Sequence, residues 1–291
     1  MIKRAYLELH IAVFLFGFTA ILGHLIQLSA VVLVWWRVLI AVFTILAFTK
    51  TWSKIRLLPR RLVVQYFGIG CILMGHWLCF YGAIKWANAS VALICLATTS
   101  FMSAILEPLM NKKRIKWFEV SLGIIIIPSM FFIGGSLPKE LTSGLWLGLM
   151  SAVLSVFFTV INKKLISKTD PLSITLLEFI GGGIFLTILL PFYLYFDKTA
   201  LFLPSNSDWI YLIILALVCT NIAYVLATRA LVHLSAFASN LTINLEPIYG
   251  ILMAIVLLKE DKQLSPAFYI GAALILMAVL SYPILKKRFD N

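Results

Sequence analysis

Apolar positions in this chain gather into runs of about twenty residues, separated by short gaps that carry the charged residues, Pro and Gly. A helix that crosses a bilayer needs roughly 20 mostly apolar residues. Ten runs meet that length, at 7–29, 31–49, 62–84, 89–111, 117–135, 144–162, 171–196, 209–229, 236–258 and 266–285. The gaps are all short, which leaves no room for a soluble domain between them. The predicted fold class is an all-α polytopic membrane protein of ten transmembrane helices.

Composition agrees with the pattern. Hydrophobic residues make up 62% of the chain and charged residues 12%, whereas soluble domains are typically about half apolar and a quarter charged. The net charge of +12 changes the picture only through its placement, because the cations sit in the gaps. With the N-terminus inside, eighteen of the 24 Lys and Arg fall in inside segments, five fall outside, and Arg37 lies within a span. That asymmetry predicts both termini in the cytoplasm of a cell (inner) membrane. It also gives the charge a topogenic job in place of nucleic-acid binding. The N-terminal "MIKRAYLELHIAVFLFGF" begins as a signal peptide would, but its apolar stretch continues to about Ala30, so it reads as a retained first span. Cys71, Cys79, Cys95 and Cys219 all fall inside apolar runs with no CxxC spacing, and read as small packing residues. No metal or cofactor is expected.

The chain also repeats itself. "AVFLFGFT" (Ala12–Thr19) matches "AVLSVFFT" (Ala152–Thr159), and with a shift of 147 "AIKWANASVA" (Ala83–Ala92) lies on "ALVHLSAFAS" (Ala230–Ser239). That register runs without a gap until Lys112 meets Lys259. Two units of five spans follow, at about 8–134 and 144–285. Five is odd, so the second unit enters from the opposite side and the repeats are inverted.

With those stretches in view, the sequence resembles the EamA-type family of the drug/metabolite transporter superfamily, over nearly its whole length. "AIKWANASVALI" and "ALVHLSAFASNLTINLEPIYGILMAIVLLKE" (Ala230–Glu260) carry the resemblance, with the Trp35-Trp36-Arg37 step of the second span. The first half departs from the family pattern, with Ser100 where a Pro would fall and Lys113 in place of the terminal acid. The resemblance implies export, or less often import, of small metabolites through a central cavity.

Polar residues inside spans are functional candidates by default, since each must find a partner or face water. Advancing 100° per residue, Ser239, Thr242, Glu246, Tyr249 and Met253 share one arc of the ninth span, and Asn240, Asn244 and Pro247 another. Thr220, Asn221, Tyr224 and Thr228 form a stripe on the eighth span, and Thr99, Ser103 and Glu107 one on the fourth. Glu246, at the centre of "INLEPIYGILM", is read either as a proton or amine site or as a structural hydrogen-bond acceptor, with Asn221, Tyr224 and Asn244 as its expected neighbours. Arg37 either lines the cavity or snorkels to the surface. Glu178, before the Gly181–Gly183 triplet, occupies the position of Arg37 at a shift of 141 and is a second proton site or an ion-pair partner. His76 is a proton-relay candidate. The substrate or proton set is therefore Glu246, Asn244, Asn240, Tyr249, Asn221, Tyr224, Thr99, His76, Arg37 and Glu178.

The expected function is a secondary transporter that exports amino acids or related compounds by alternating access, the two repeats rocking about a midplane site, with proton or exchange coupling. No GxxxxGK[ST] motif is present to couple ATP. An importer or exchanger of sugars or nucleotide sugars is the alternative, and a channel or regulatory membrane-binding subunit is the rival from another class. An enzyme is not expected, as neither HExxH nor GxSxG occurs. The expected partners are a small-molecule substrate and the lipid bilayer, with a homodimer as an admissible assembly.

Overall fold

Local signals open the helices. Asp170 accepts hydrogen bonds from the amide and hydroxyl of Ser173, and Pro171 fills a first-turn position where its missing N–H costs nothing. Ser205 and Asp208 form a reciprocal capping box at the next helix start. The structure, a computed structural model, describes residues 2–118, 142–243 and 245–259 continuously, and scattered positions within 120–129 and 265–285. Helices joined by turns and short loops make up those residues, with no strand among them.

In chain order the helices are α1 (Ile2–Leu25), α2 (Ala30–Phe48), the short α3 (Thr51–Ile55), α4 (Arg60–Trp86), α5 (Ala89–Leu96), α6 (Thr99–Met110), α7 (Thr142–Leu165), α8 (Pro171–Phe196), α9 (Asn206–Ala216), α10 (Ala223–His233), α11 (Ala236–Ile243) and α12 (Glu246–Met253). A π-helical turn, Leu217–Ile222, joins α9 to α10, and another, Ala254–Leu258, follows α12. Among the described residues, seven helical stretches are long and apolar enough to cross a membrane, and α5 with α6, bent by 42°, makes an eighth if taken together. The expected spans at 117–135 and 266–285 lie largely outside the described residues, as do Lys139, Lys262, Lys286, Lys287 and Arg288 of the charge count.

Contacts between helix ends fix their directions. Tyr66, near the start of α4, donates to the Leu165 carbonyl at the end of α7, while Gly144 at the start of α7 lies against Ala87. The amide of Gln27, past the end of α1, donates to Asp208 at the start of α9. Ala5 and Leu9 of α1 pack on Ala230 and Leu234. Hence α4 and α10 end on opposite faces, although they hold equivalent places in the two halves. One face gathers Lys3, Arg4, Lys54, Arg56, Arg60, Arg61, Lys163, Lys164 and Arg229, and is called the basic face below. On the opposite face, Trp35 and Trp36 pack on Phe202 and Trp209 packs on Trp36, as an interfacial belt.

The packing is exchanged between halves. α4 lies along α7 as α10 lies along α1; α5 and α6 pack on α7 as α11 and α12 pack on α1. Two three-span bundles result: α4, α5–α6 and α7 in one, α1, α10 and α11–α12 in the other. Each bundle takes its first span from the other repeat. Local geometry keeps the 147 shift as well. Asn88 caps the Val91 amide and Ser235 caps the Ala238 amide, and Lys112 and Lys259 are both left-handed, at φ 52° and 55°. These pairs show that the repeat is structural even where identities are few.

Small residues set the closest approaches. A methyl at Gly250 would meet Leu93 at 2.4 Å, and one at Gly70 would lie 2.0 Å from the Glu178 carbonyl oxygen. A 100° advance per residue puts Gly68, Cys71, Gly75, Cys79 and Gly82 on one small-residue face of α4; that face does not include Gly70, which makes the tightest contact, whereas Gly68 has nothing within 4 Å. Gly70→Ala should therefore destabilise the protein by about 1–3 kcal/mol or more through backbone overlap. Gly68→Ala should stay within about 1 kcal/mol of wild type. Thermal unfolding in detergent measures both, and equal midpoints for the two variants would refute the close α4–α8 packing.

Candidate functional site

A cavity opens between the two bundles where the spans are broken. Phe16, Trp77, Phe80 and Phe158 form its aromatic wall, and Thr19, Thr99, Ser155 and Thr159 supply hydroxyls. Thr19 and Thr159, equivalent residues of α1 and α7, turn their hydroxyls back onto the Phe16 and Ser155 carbonyls.

Glu246 lies at the break. Leu245 is a turn residue whose amide donates to the Thr242 carbonyl three residues back, and α12 begins at Glu246, so Pro247 occupies its first turn. The proline thus starts a helix where the sequence pattern placed it inside one, and its missing N–H removes no helical bond. Glu246 is 5% exposed and lines the cavity. Among the described residues its carboxylate makes no hydrogen bond and no ion pair within 4 Å. The amide dipoles of α12 favour a negative charge at this end, and Arg37 lies within electrostatic reach.

Arg37 is buried at 2% exposure. Its Nε donates to the Thr220 hydroxyl at 2.6 Å, its Nη1 donates to the Tyr81 hydroxyl at 2.7 Å, and Cζ stands 3.8 Å above the Trp77 ring. It therefore lines the cavity and does not snorkel. Thr220 is aimed at it by the π-helical turn, since the same hydroxyl donates to the Leu215 carbonyl, five residues back, at 2.6 Å.

Glu178 has no exposed surface. Asn162 donates to its Oε1 at 2.7 Å and Tyr224 to its Oε2 at 2.5 Å. Both donors line the cavity, so Glu178 sits one layer behind the wall. The 147 shift places Trp77 on Tyr224. The two repeats thus set an arginine and a glutamate at equivalent places, each engaging the equivalent aromatic residue, and the opposite signs break the symmetry.

The remaining candidates separate. His76 and Thr99 line the cavity, and His76 Nδ1 lies 2.8 Å from the Ser151 hydroxyl and 2.9 Å from its carbonyl. Asn240 bridges bundles, accepting from Thr159 at 3.2 Å and donating to Ser103 at 2.5 Å. Tyr249 is off the cavity, edge-on to Phe14 with centroids 5.7 Å apart. Asn221 donates to the Ala41 carbonyl and Thr44 hydroxyl of α2, and the Tyr224 hydroxyl donates to Glu178, so neither gives its donor to Glu246. The π-helical turn is the reason: Asn221 lies within it, and the extra residue there rotates its side chain away from the stripe that a uniform 100° advance predicts. Asn244 lies outside the described residues. Trp77, Tyr81 and Asn162 were not anticipated, and Thr220 was read only as part of its stripe. The offset of 147 from Tyr224 was the one signal pointing to Trp77, and a span-internal Asn the one pointing to Asn162. Among the described residues no cluster of three or more His, Cys, Asp or Glu is placed to hold a metal.

The sequence profile of the EamA-like transporter family matches residues 3–135 and 142–282. The chain belongs to the EamA-like transporter family. It is a multi-pass membrane protein of that family. A Bacillus subtilis (strain 168) protein described as "Uncharacterized transporter YxxF" is 24% identical over 210 residues, which are 70% of this chain but only 63% of that relative's length. A solved crystal structure shares the fold, with a TM-score of 0.74 and 15% identity over 97% of this chain and 98% of the other.

Tyr224→Phe leaves the ring in place and removes one of the two donors to Glu178. Losing a hydrogen bond to a buried carboxylate should cost about 1–3 kcal/mol. Tyr224→Phe in a Glu178→Gln background should cost clearly less. A double-mutant cycle on thermal unfolding checks the coupling, and additive losses would refute it.

Proposed function

We propose that the chain is a ten-helix secondary transporter with two inverted five-helix repeats, and that it exports amino acids or related compounds from the cytoplasm by alternating access. The observation that carries this reading is Glu246: a carboxylate at the start of α12, facing a cavity between two bundles, with no hydrogen bond or ion pair among the described residues. A fixed structural acceptor would hold a donor. A group that alternately takes a proton and a substrate ammonium must be left one open side. The unused Nη2 of Arg37 gives the cavity a positive pole as well, which favours cargo bearing both charges.

The packing revises how alternation is expected to work. Because α1 and α7 are exchanged between repeats, the rigid bodies suited to rocking are the two swapped bundles and not the sequence repeats. The weighting of cations toward the basic face supports placing that face, with both termini, in the cytoplasm of the cell membrane.

Two measurements test the proposal. In a cysteine-free background, a cysteine near Pro204 should react with an impermeant reagent in intact cells, and one near Arg56 should not; labelling at Arg56 would reverse the orientation. In proteoliposomes, Glu246→Gln should fold yet lose accumulation driven by an imposed pH gradient, keeping at most pH-independent exchange. Wild-type rates and pH dependence in that variant would make Glu246 a structural residue. Saturable flux without single-channel conductance separates this reading from a channel.

A further inference from the structure

We propose that Glu107 and Lys163 form a charged latch that holds the cavity shut on the basic face, an inference that rests on the alternating-access reading. Both residues belong to the bundle of α4, α5–α6 and α7, and both grip the other bundle at one point, the junction of α10 and α11. Glu107 accepts from the Phe237 amide at 2.6 Å and the Ala236 amide at 3.3 Å, the first amides of α11. Lys163 donates to the Leu231 carbonyl at 2.5 Å and the Val232 carbonyl at 3.2 Å, among the last of α10.

Each charge therefore meets the helix end of opposite polarity: the carboxylate sits on exposed amides and the ammonium on exposed carbonyls. The two ions also attract each other across the junction, with Lys113 as a nearby opposing cation. The latch lies directly beneath the cavity. Asn162, next to Lys163, lines it, and so do Leu231 and Ser239 on either side of the gripped junction. The Ser103–Asn240–Thr159 bridge forms a second closure one layer deeper.

The opposite face has no copy of this device at the equivalent positions. A shift of 147 places Ala254 where Glu107 stands, and the shift of 140 that relates α1 to α7 places Gly23 where Lys163 stands. There the bundles meet through Gly23 packed against the Tyr81 ring, with Lys85 donating to the Ile26 carbonyl. One gate is thus clasped by ions of both signs, and the other is mainly a close fit of side chains. Glu107 and Lys163 are positioning residues of the transport cycle, acting on which face opens.

The test uses Ser239→Cys in a full-length protein whose four native cysteines are replaced, reconstituted in vesicles. The readout is the rate of labelling by an impermeant maleimide applied to the basic face. Glu107→Gln and Lys163→Gln should each raise that rate about ten-fold, the scale of losing a charge-assisted hydrogen bond. The double variant should add little beyond either alone, because the two ions act on one junction. Unchanged labelling in variants that unfold at the parent temperature would overturn the latch, and so would strictly additive increases. Should Glu107→Gln fail to insert, Lys163→Gln decides alone by the same criterion. No substrate enters the measurement, so failure of the latch leaves the transporter reading standing, while a working latch without flux points against that reading.

Discussion

Hydrocarbon offers no hydrogen-bond partner, so a broken helix survives in a membrane only where protein or water covers the break. That constraint organises this molecule. The fourth and ninth expected spans are interrupted by turns at equivalent places, at Thr98 and at Leu245, and the two interrupted spans cross in opposite directions at the protein's centre. Gly250 against Leu93 and Asn240 against Ser103 hold the crossing. Each break is thereby kept from lipid by the other interrupted span and by α1 or α7. The remaining side is the cavity, and it is there that the Glu246 carboxylate emerges.

The exchange of α1 and α7 follows from the same need. An interrupted span cannot present a continuous ridge to a neighbour, so each is braced along its length by one unbroken helix. Gly17 of α1 approaches the Gly250 amide and the Tyr249 and Met253 side chains, and Gly148 of α7 approaches Cys95. In both cases the brace comes from the other repeat. Neither half can therefore complete its own bundle, and the functional unit is the pair. Rocking of the swapped bundles would leave these intra-bundle contacts intact while remaking the fewer contacts that cross between bundles.

Most of this frame was legible in the sequence, because span length, charge bias and the 147 register are one-dimensional signals. Asn88 and Ser235, or Lys112 and Lys259, could be paired before any coordinate was known. The site was legible only in outline. Arg37, His76, Thr99, Glu178, Tyr224 and Glu246 were picked out by the cost of polar groups in apolar spans. Their partners were not, since pairing depends on which helices touch. Tyr224 belongs to Glu178 and not to Glu246 because α8 reaches α10 there, which no pattern within either helix reports. Asn221 failed for a local reason: helical-wheel reasoning assumes a constant 100° advance, and the π-helical turn breaks it in the middle of the stripe. Glu107 was seen as part of a polar stripe, but its role depends on the amides of a helix 129 residues away.

The residues that violate the pseudo-symmetry are the informative ones. Two inverted repeats with identical side chains would give two faces of equal stability and a cycle with no preferred resting state. Here Arg37 faces Glu178 across the symmetry, Glu107 faces Ala254, and Lys163 faces Gly23. Each exchange replaces a charge on one side by a different charge or by none. An ion costs free energy whenever the motion strips it of its partner, and a glycine does not, so the two openings cannot be equal in energy. If the bundles alternate as proposed, the backbone would supply the movement, and a handful of unmatched ions would set the difference between its two ends.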